Sequence, residues 1–267
     1  MSVRCSRSSF ILRAFLACCV AAAGCEPPEV FGPGRDEAVF PIAALQHAGE
    51  GRCADGAACP AVETCADGRR CPAHGDRVII EDAVVTAVDS FDEDGAGRVG
   101  SVWVQSAAGG PWSGIQLYEP AVAPVRARLS PGDVVRVAGA YEEFVLWNAD
   151  GTPMDPRGRL TEITRGSVRK TGETTPIEPI PVAAADLGNR SAAEQWEGVL
   201  VRVEGVAVRA VYDRHGDAPT TAGFEVSKAL YEIPGLGPGA AFRSITGVVS
   251  YFFGFKLLPR GPDDIER

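Results

Sequence analysis

Across 267 residues the chain carries 26 Lys and Arg against 35 Asp and Glu, a formal net charge of −9. That balance speaks against non-specific nucleic-acid binding, which depends on cations that neutralise phosphates. Beyond the first two dozen residues, no stretch has the length of apolar sequence that a membrane-spanning helix needs.

The N-terminus reads as an export signal over 1–24. Arg4, Arg7 and Arg13 form a positive start, Ala14 to Ala23 is an apolar run too short to cross a bilayer, and small residues close it at Ala22-Ala23-Gly24-Cys25. This ending resembles the lipobox of bacterial lipoproteins, with Ala22 where Leu is usual. The resemblance implies cleavage before Cys25, a diacylglycerol on its thiol and acyl chains as the membrane anchor. The alternative is an ordinary secretory signal cut nearby. Glu26, in place of Asp, implies by the same resemblance an outer-membrane lipoprotein, facing the periplasm or the surface. The signal holds three of the 26 cations and no acid, so the mature chain has 23 cations against 35 anions, a net charge near −12.

Residues 25–50 read as a lipid-anchored tether, broken by Pro27, Pro28, Gly32, Pro33 and Gly34. Phe40 to Leu45 is mildly apolar and suited to docking on the body. Residues 51–75 hold a repeat of period twelve: Cys53-Ala54-Asp55-Gly56 ends in Cys59-Pro60, and Cys65-Ala66-Asp67-Gly68 ends in Cys71-Pro72. In an oxidising compartment Cys53, Cys59, Cys65 and Cys71 predict two disulfides of open connectivity. The rival is a zinc site with His74, although zinc cysteines usually stand two to four residues apart.

From residue 76 the pattern is strand-like. Arg77 to Val88 is rich in β-branched residues, Val99 to Gln105 and Gly114 to Tyr118 alternate, Asp133 to Tyr141 follows a turn at Pro131-Gly132, and Leu160 to Thr164 closes a first set over 76–165. Residues 166–195 read as a linker, Pro-rich over Thr174 to Pro181, with a short helix in Ala183 to Gln195. A second set occupies 196–267. Glu81 to Val88 aligns with Glu204 to Val211, Val102-Trp103-Val104-Gln105 with Phe224-Glu225-Val226-Ser227, and Arg136-Val137-Ala138-Gly139 loosely with Ile245-Thr246-Gly247. Glycine inside a strand marks a bulge or a barrel corner. The predicted fold is therefore all-β: two small OB-like β-barrels in tandem after a disulfide-rich N-terminal segment.

Glu197 to Glu204, Ser244 to Val248 and Phe255 to Arg260 with Asp263-Asp264-Ile265 resemble the second OB-like module of secreted bacterial nucleases. There such modules precede an endonuclease/exonuclease/phosphatase domain. The likeness spans roughly 76–265. No sequence of that catalytic domain is present up to Arg267, so nuclease activity is not expected.

Other motifs resolve to bland readings. Gly95-Ala96-Gly97-Arg98-Val99-Gly100 matches a dinucleotide fingerprint by letter, but it joins two strands rather than a strand and a helix. Asp89, Asp92 and Asp94 fail the EF-hand spacing at Ser90 and Ser101 and read as a solvated acidic turn. Ser113 and His215 form no recognisable triad, and His215 belongs to a polar loop. No catalytic residue, metal site or cofactor is expected.

Trp103 is the informative side chain. The flanking valines share one strand face and Trp103 shares the other with Gln105. With Glu225 aligned to it in the second set, Trp103 is placed outside the barrel, beside Gln116 and Tyr118. This is the face on which OB folds bind oligonucleotides and oligosaccharides, and exposed aromatics there stack on rings. The alternative is that Trp103 packs under the linker or against the second module. The functional expectation is a non-enzymatic envelope lipoprotein that binds a partner, whether protein, glycan or nucleic acid, with nucleic acid disfavoured by charge. The rival expectations are an accessory to a separately encoded nuclease or hydrolase, and a structural envelope component.

Overall fold

A computed structural model describes residues 38–49, 72–91, 100–118, 128–145, 147–154, 159–211 and 216–267, which belong to one compact unit. The signal segment, Cys25, the four cysteines Cys53, Cys59, Cys65 and Cys71, Asp92, Asp94 and His215 lie outside the described residues. The described residues are mostly β, and their strands form two sheets.

The first sheet opens with β1 (Ala38–Val39), parallel to β2 (Arg77–Val88). Helix α1 (Ile42–Gly49) follows β1, and Ile42 and Leu45 enter the first core. The second half of the expected tether is therefore docked on the body, as the apolar run from Phe40 to Leu45 suggested. The main strands are β3 (Val102–Ser106), β4 (Gly114–Leu117), β5 (Asp133–Phe144) and β6 (Leu160–Thr174). β2 pairs with β3, β3 with β4 and β5 with β6 in antiparallel fashion, while β4 pairs with β6 in parallel. β2 also pairs with β5, the strand at the far end of the sheet order.

Alternation explains the core. Val102 and Val104 of β3 and Ile115 and Leu117 of β4 all join Val85, Val135, Tyr141 and Ile163 inside the sheet. Gly139 lies where β5 shifts register against β6. A methyl there would stand 2.5 Å from Ile163 Cγ2 and 2.8 Å from the Thr164 carbonyl oxygen, so only glycine admits the crossing.

The expected linker is largely structured. β6 runs on to Thr174, which still pairs with Asp133 of β5, so the boundary placed at 166 falls within a strand. β7 (Ile180–Val182) already belongs to the second sheet, parallel to β8 (Leu200–Ala207). The predicted short helix is two helical turns, Ala184–Gly188 and Arg190–Ala193, followed by a 3-10 turn. Asn189 caps the second turn by accepting from the backbone N–H groups of Ser191 and Ala192.

In the second sheet β8 pairs antiparallel with β11 (Ala241–Tyr251), and β11 with β12 (Phe255–Leu258). β12 runs parallel to β10 (Glu225–Val226), which pairs antiparallel with β9 (Ala218–Pro219). A bridge from Val208 to Thr220 links the end of β8 to the end of β9, and β13 (Ile265–Glu266) adds to β11. The core holds Val201, Val203, Phe224, Ile245 and Leu257, together with Leu160 from β6 of the first sheet.

A seam joins the two sheets. A third apolar cluster contains Ala87 and Trp103 from the first sheet, Leu200, Val248 and Leu258 from the second, and Leu230 from the connection between β10 and β11. Backbone meets backbone beside it: a methyl on Gly114 would stand 2.1 Å from the Gly198 carbonyl carbon. The Trp112 N–H donates to the Gln195 carbonyl at 2.6 Å, and the Leu200 N–H to Gln105 Oε1 at 2.9 Å. Arg260 grips Asp264 and donates through Nη1 to the Thr86 carbonyl at 3.1 Å. Gly114→Ala should therefore destabilise the whole chain by ~2 kcal/mol or more, as overpacking against backbone does. Thermal denaturation checks this: an unchanged melting temperature would show that the two backbones do not meet.

Candidate functional site

The three residues expected to share an exposed face divide. Trp103 and Gln116 are cross-strand partners in the β3–β4 pair, so they do share a face, and it points away from the first core. That face is covered by the second sheet: Trp103 is only 4% exposed and belongs to the seam, and Gln116 is buried. Tyr118, two residues past Gln116, is 46% exposed. The packing alternative for Trp103 is the one the structure adopts.

The alignment behind the exposed-face expectation is off by one strand. β10, which holds Glu225, runs parallel to β12 just as β4 runs parallel to β6, and Glu225 faces Lys256 where Gln116 faces Glu162. Glu225 is the counterpart of Gln116, and the strand matching β3 is the two-residue β9. Trp103 lies outside its own sheet's core all the same, because of strand alternation.

A cleft of about 530 Å3 opens where the sheets meet. Trp103 and Gln116 line it from the first sheet, with Asp89, Ser101 and Leu160 at strand ends. The β11–β12 hairpin lines it opposite, through Tyr251, Phe252, Phe253 and Lys256. Lys256 pairs with Asp217 and, at 3.2 Å, with Glu225, and all three side chains are largely buried. The Asp89 carboxylate accepts the Gly100 N–H at 3.0 Å, which fixes one end of the rim. Gln116 Nε2 donates to Ser101 Oγ at 3.1 Å, leaving its carbonyl for other partners. Phe252 and Phe253 are exposed at the hairpin tip, with ring centroids 4.8 Å apart and planes at 77°. Both phenylalanines escaped the sequence reading, although a pair of aromatics ahead of Gly254 was the available signal.

A carboxylate group lies behind Gln116. Glu162 faces Glu142 across the β5–β6 pair and Gln116 across the β4–β6 pair, and it is buried. Burial first, then the charges of Glu142 and Glu143, push its carboxyl up to about 8. Burial and Glu143, to which it donates a hydrogen bond, likewise push the Tyr141 phenol up. Among the described residues no group of three His, Cys, Asp or Glu side chains is placed to hold a metal ion. Of the remaining sequence candidates, Ser113 donates to the Gly110 carbonyl at 2.6 Å, and His74 Nδ1 accepts the Glu143 N–H at 3.2 Å. No helix among the described residues is long and apolar enough to cross a membrane.

No protein-family model matches this chain, and a search of curated proteins returned no match.

Two outcomes follow from this geometry. Trp103→Ala should lower stability by ~3–5 kcal/mol, the range for truncating a buried large aromatic. Chemical denaturation measures it, and a loss under 1 kcal/mol would mean that Trp103 is not seam packing. The raised Glu162 carboxyl makes the folded state hold a proton that the unfolded chain releases near pH 4.5. Its stability is then intact below about pH 4.5 and declines as pH rises toward 8. Glu162→Gln should remove that decline and be on the order of 2–4 kcal/mol more stable than the parent at pH 8.5. Equal pH profiles for the two proteins would show that Glu162 is ionised in the fold.

Proposed function

We propose that this chain is an exported lipoprotein that binds a partner at the cell envelope, without catalysing a reaction, through two OB-like modules that share one contact cleft. The observation that carries the reading is the cleft itself, where the face of β3 and β4 in the first sheet meets the β11–β12 hairpin of the second. Small-ligand sites favour such concave junctions between structural units.

The OB-like assignment is supported by strand order. In both sheets the first long strand pairs with the fourth, the fourth with the fifth, and the fifth runs parallel to the third. That is the connectivity of a five-stranded Greek-key barrel. In OB folds the second and third strands and the loop between the fourth and fifth form the usual contact surfaces. Here the first module supplies the former and the second module the latter, to a single space. The lipoprotein reading rests on the segment ending at Gly24-Cys25, and the non-catalytic reading on a sequence in which no nucleophile stands with a base.

Cys25→Ser should move the protein from the membrane to the soluble fraction. Purified from that fraction, it should gain thermal stability on meeting its ligand: about 2.7 kcal/mol at a hundred times the dissociation constant. It should release no product from that ligand over prolonged incubation. Continued membrane fractionation of the variant would remove the anchor, and turnover of the bound molecule would remove the non-enzymatic assignment.

A further inference from the structure

The chemistry of the cleft narrows the ligand, on the reading that the cleft is the contact site: we infer that it takes a short neutral oligosaccharide. Its sugar faces rest on the aromatic tip formed by Phe252 and Phe253, and its hydroxyls exchange hydrogen bonds with Gln116 and the lining hydroxyls of Ser101, Ser227 and Ser250.

Charge excludes the polyanions. The described lining holds two lysines, Lys228 and Lys256, and two aspartates, Asp89 and Asp217. Lys256 is already engaged by Asp217 and Glu225. A phosphodiester or sulfated chain needs a surplus of cations where it lies, and neither this lining nor a chain of net charge −9 supplies one.

Strand order disfavours an extended peptide. Such a peptide gains affinity by pairing its backbone with a free sheet edge. β3 lies between β2 and β4, β4 between β3 and β6, β11 between β8 and β12, and β12 between β11 and β10. The strands that line the cleft thus offer it side chains and not a backbone edge.

What remains is a mixed surface of aromatic rings with hydroxyl, amide and carboxylate groups, which suits a molecule with apolar C–H faces and a rim of hydroxyls. Sugar hydroxyls both donate and accept, so an amide and neighbouring hydroxyls satisfy them without a charged partner. The volume of about 530 Å3 falls inside the ~300–1,000 Å3 common for small-ligand sites.

The backbone of the tip adds an independent observation. Phe253 has φ of 61°, a left-handed conformation that is rare for a bulky side chain, and it is 60% exposed. Its ring gains little burial in return. The left-handed residue serves to close the three-residue hairpin loop, and the closed loop holds the exposed Phe253 ring where a ligand can reach it. The Phe252 N–H donating to the Gly254 carbonyl at 3.1 Å, and the pairing of Tyr251 with Phe255, close the hairpin around that ring.

The test is calorimetric titration of the soluble Cys25→Ser chain with neutral gluco-, manno- and N-acetylglucosamine oligosaccharides of three to six units. A ten-nucleotide single-stranded DNA, a sulfated glycan and an extended peptide are run beside them. A neutral oligosaccharide should bind with an affinity that changes less than twofold between 50 and 500 mM NaCl. Phe253→Gly should weaken it tenfold or more while the melting temperature holds or rises, since glycine relieves the strained φ. Phe252→Ala should weaken it as well. Binding of the DNA, sulfated glycan or peptide in place of the sugars, lost in Phe253→Gly, overturns the oligosaccharide assignment and leaves the cleft as the contact site. Sugar binding indifferent to both variants, or no binding by any member of the panel, overturns the cleft reading along with it.

Discussion

The structure depends on a place where two backbones touch without side chains between them. Gly114 opens β4 and Gly198 precedes β8, and neither position has room for a methyl group. Close approach there brings the Leu200 N–H within reach of Gln105 Oε1 and the Thr161 N–H within reach of Glu197 Oε1, at 2.9 Å each. Those buried polar groups are satisfied across the seam, and leaving either unpaired would carry a desolvation penalty. The seam is consequently a matter of matching hydrogen bonds as well as apolar area. Its apolar part, Trp103 against Leu200, Leu230, Val248 and Leu258, closes over the same line.

Much of the architecture was legible where strands were long enough to show a period. β2, β3, β4 and β5 were read from alternation and β-branched content, and Gly139 and Gly247 were read as strand bends. A methyl on Gly247 would stand 2.6 Å from the Leu258 carbonyl oxygen, the same kind of crossing that Gly139 makes. The second sheet was harder, because β9 and β10 have two residues each and a two-residue strand has no period. Without a period to mark β9, an alignment by sequence sets Glu225 against Trp103, whereas its structural counterpart is Gln116. The linker was misjudged for a related reason. Thr171, Gly172, Glu173 and Thr174 form an exposed strand end without an apolar face, so pairing with β5 left no hydrophobic signature.

The candidate site was half legible. Trp103 and Gln116 stood out as strand residues facing away from their own core, and they do line the cleft. Its other wall comes from residues more than a hundred positions later in the chain, brought there by the seam. No local pattern announces such a meeting. The strained conformation of Phe253 is likewise a property of the closed hairpin between Tyr251 and Phe255 rather than of its sequence.

Leu160 has a consequence for how the molecule assembles. It begins β6, a strand of the first sheet, yet its side chain belongs to the core of the second. A chain folding from its N-terminus can pair all the strands of the first sheet once Thr174 is available. It then still presents Leu160 and Trp103 to solvent until β11 and β12 arrive. Each sheet also holds a parallel pair, β4 with β6 and β10 with β12, a contact that forms only after a long loop closes, and such topologies fold slowly. The half-built protein thus offers sticky apolar surface during its slowest stage, which favours both sheets condensing together over one completing before the other.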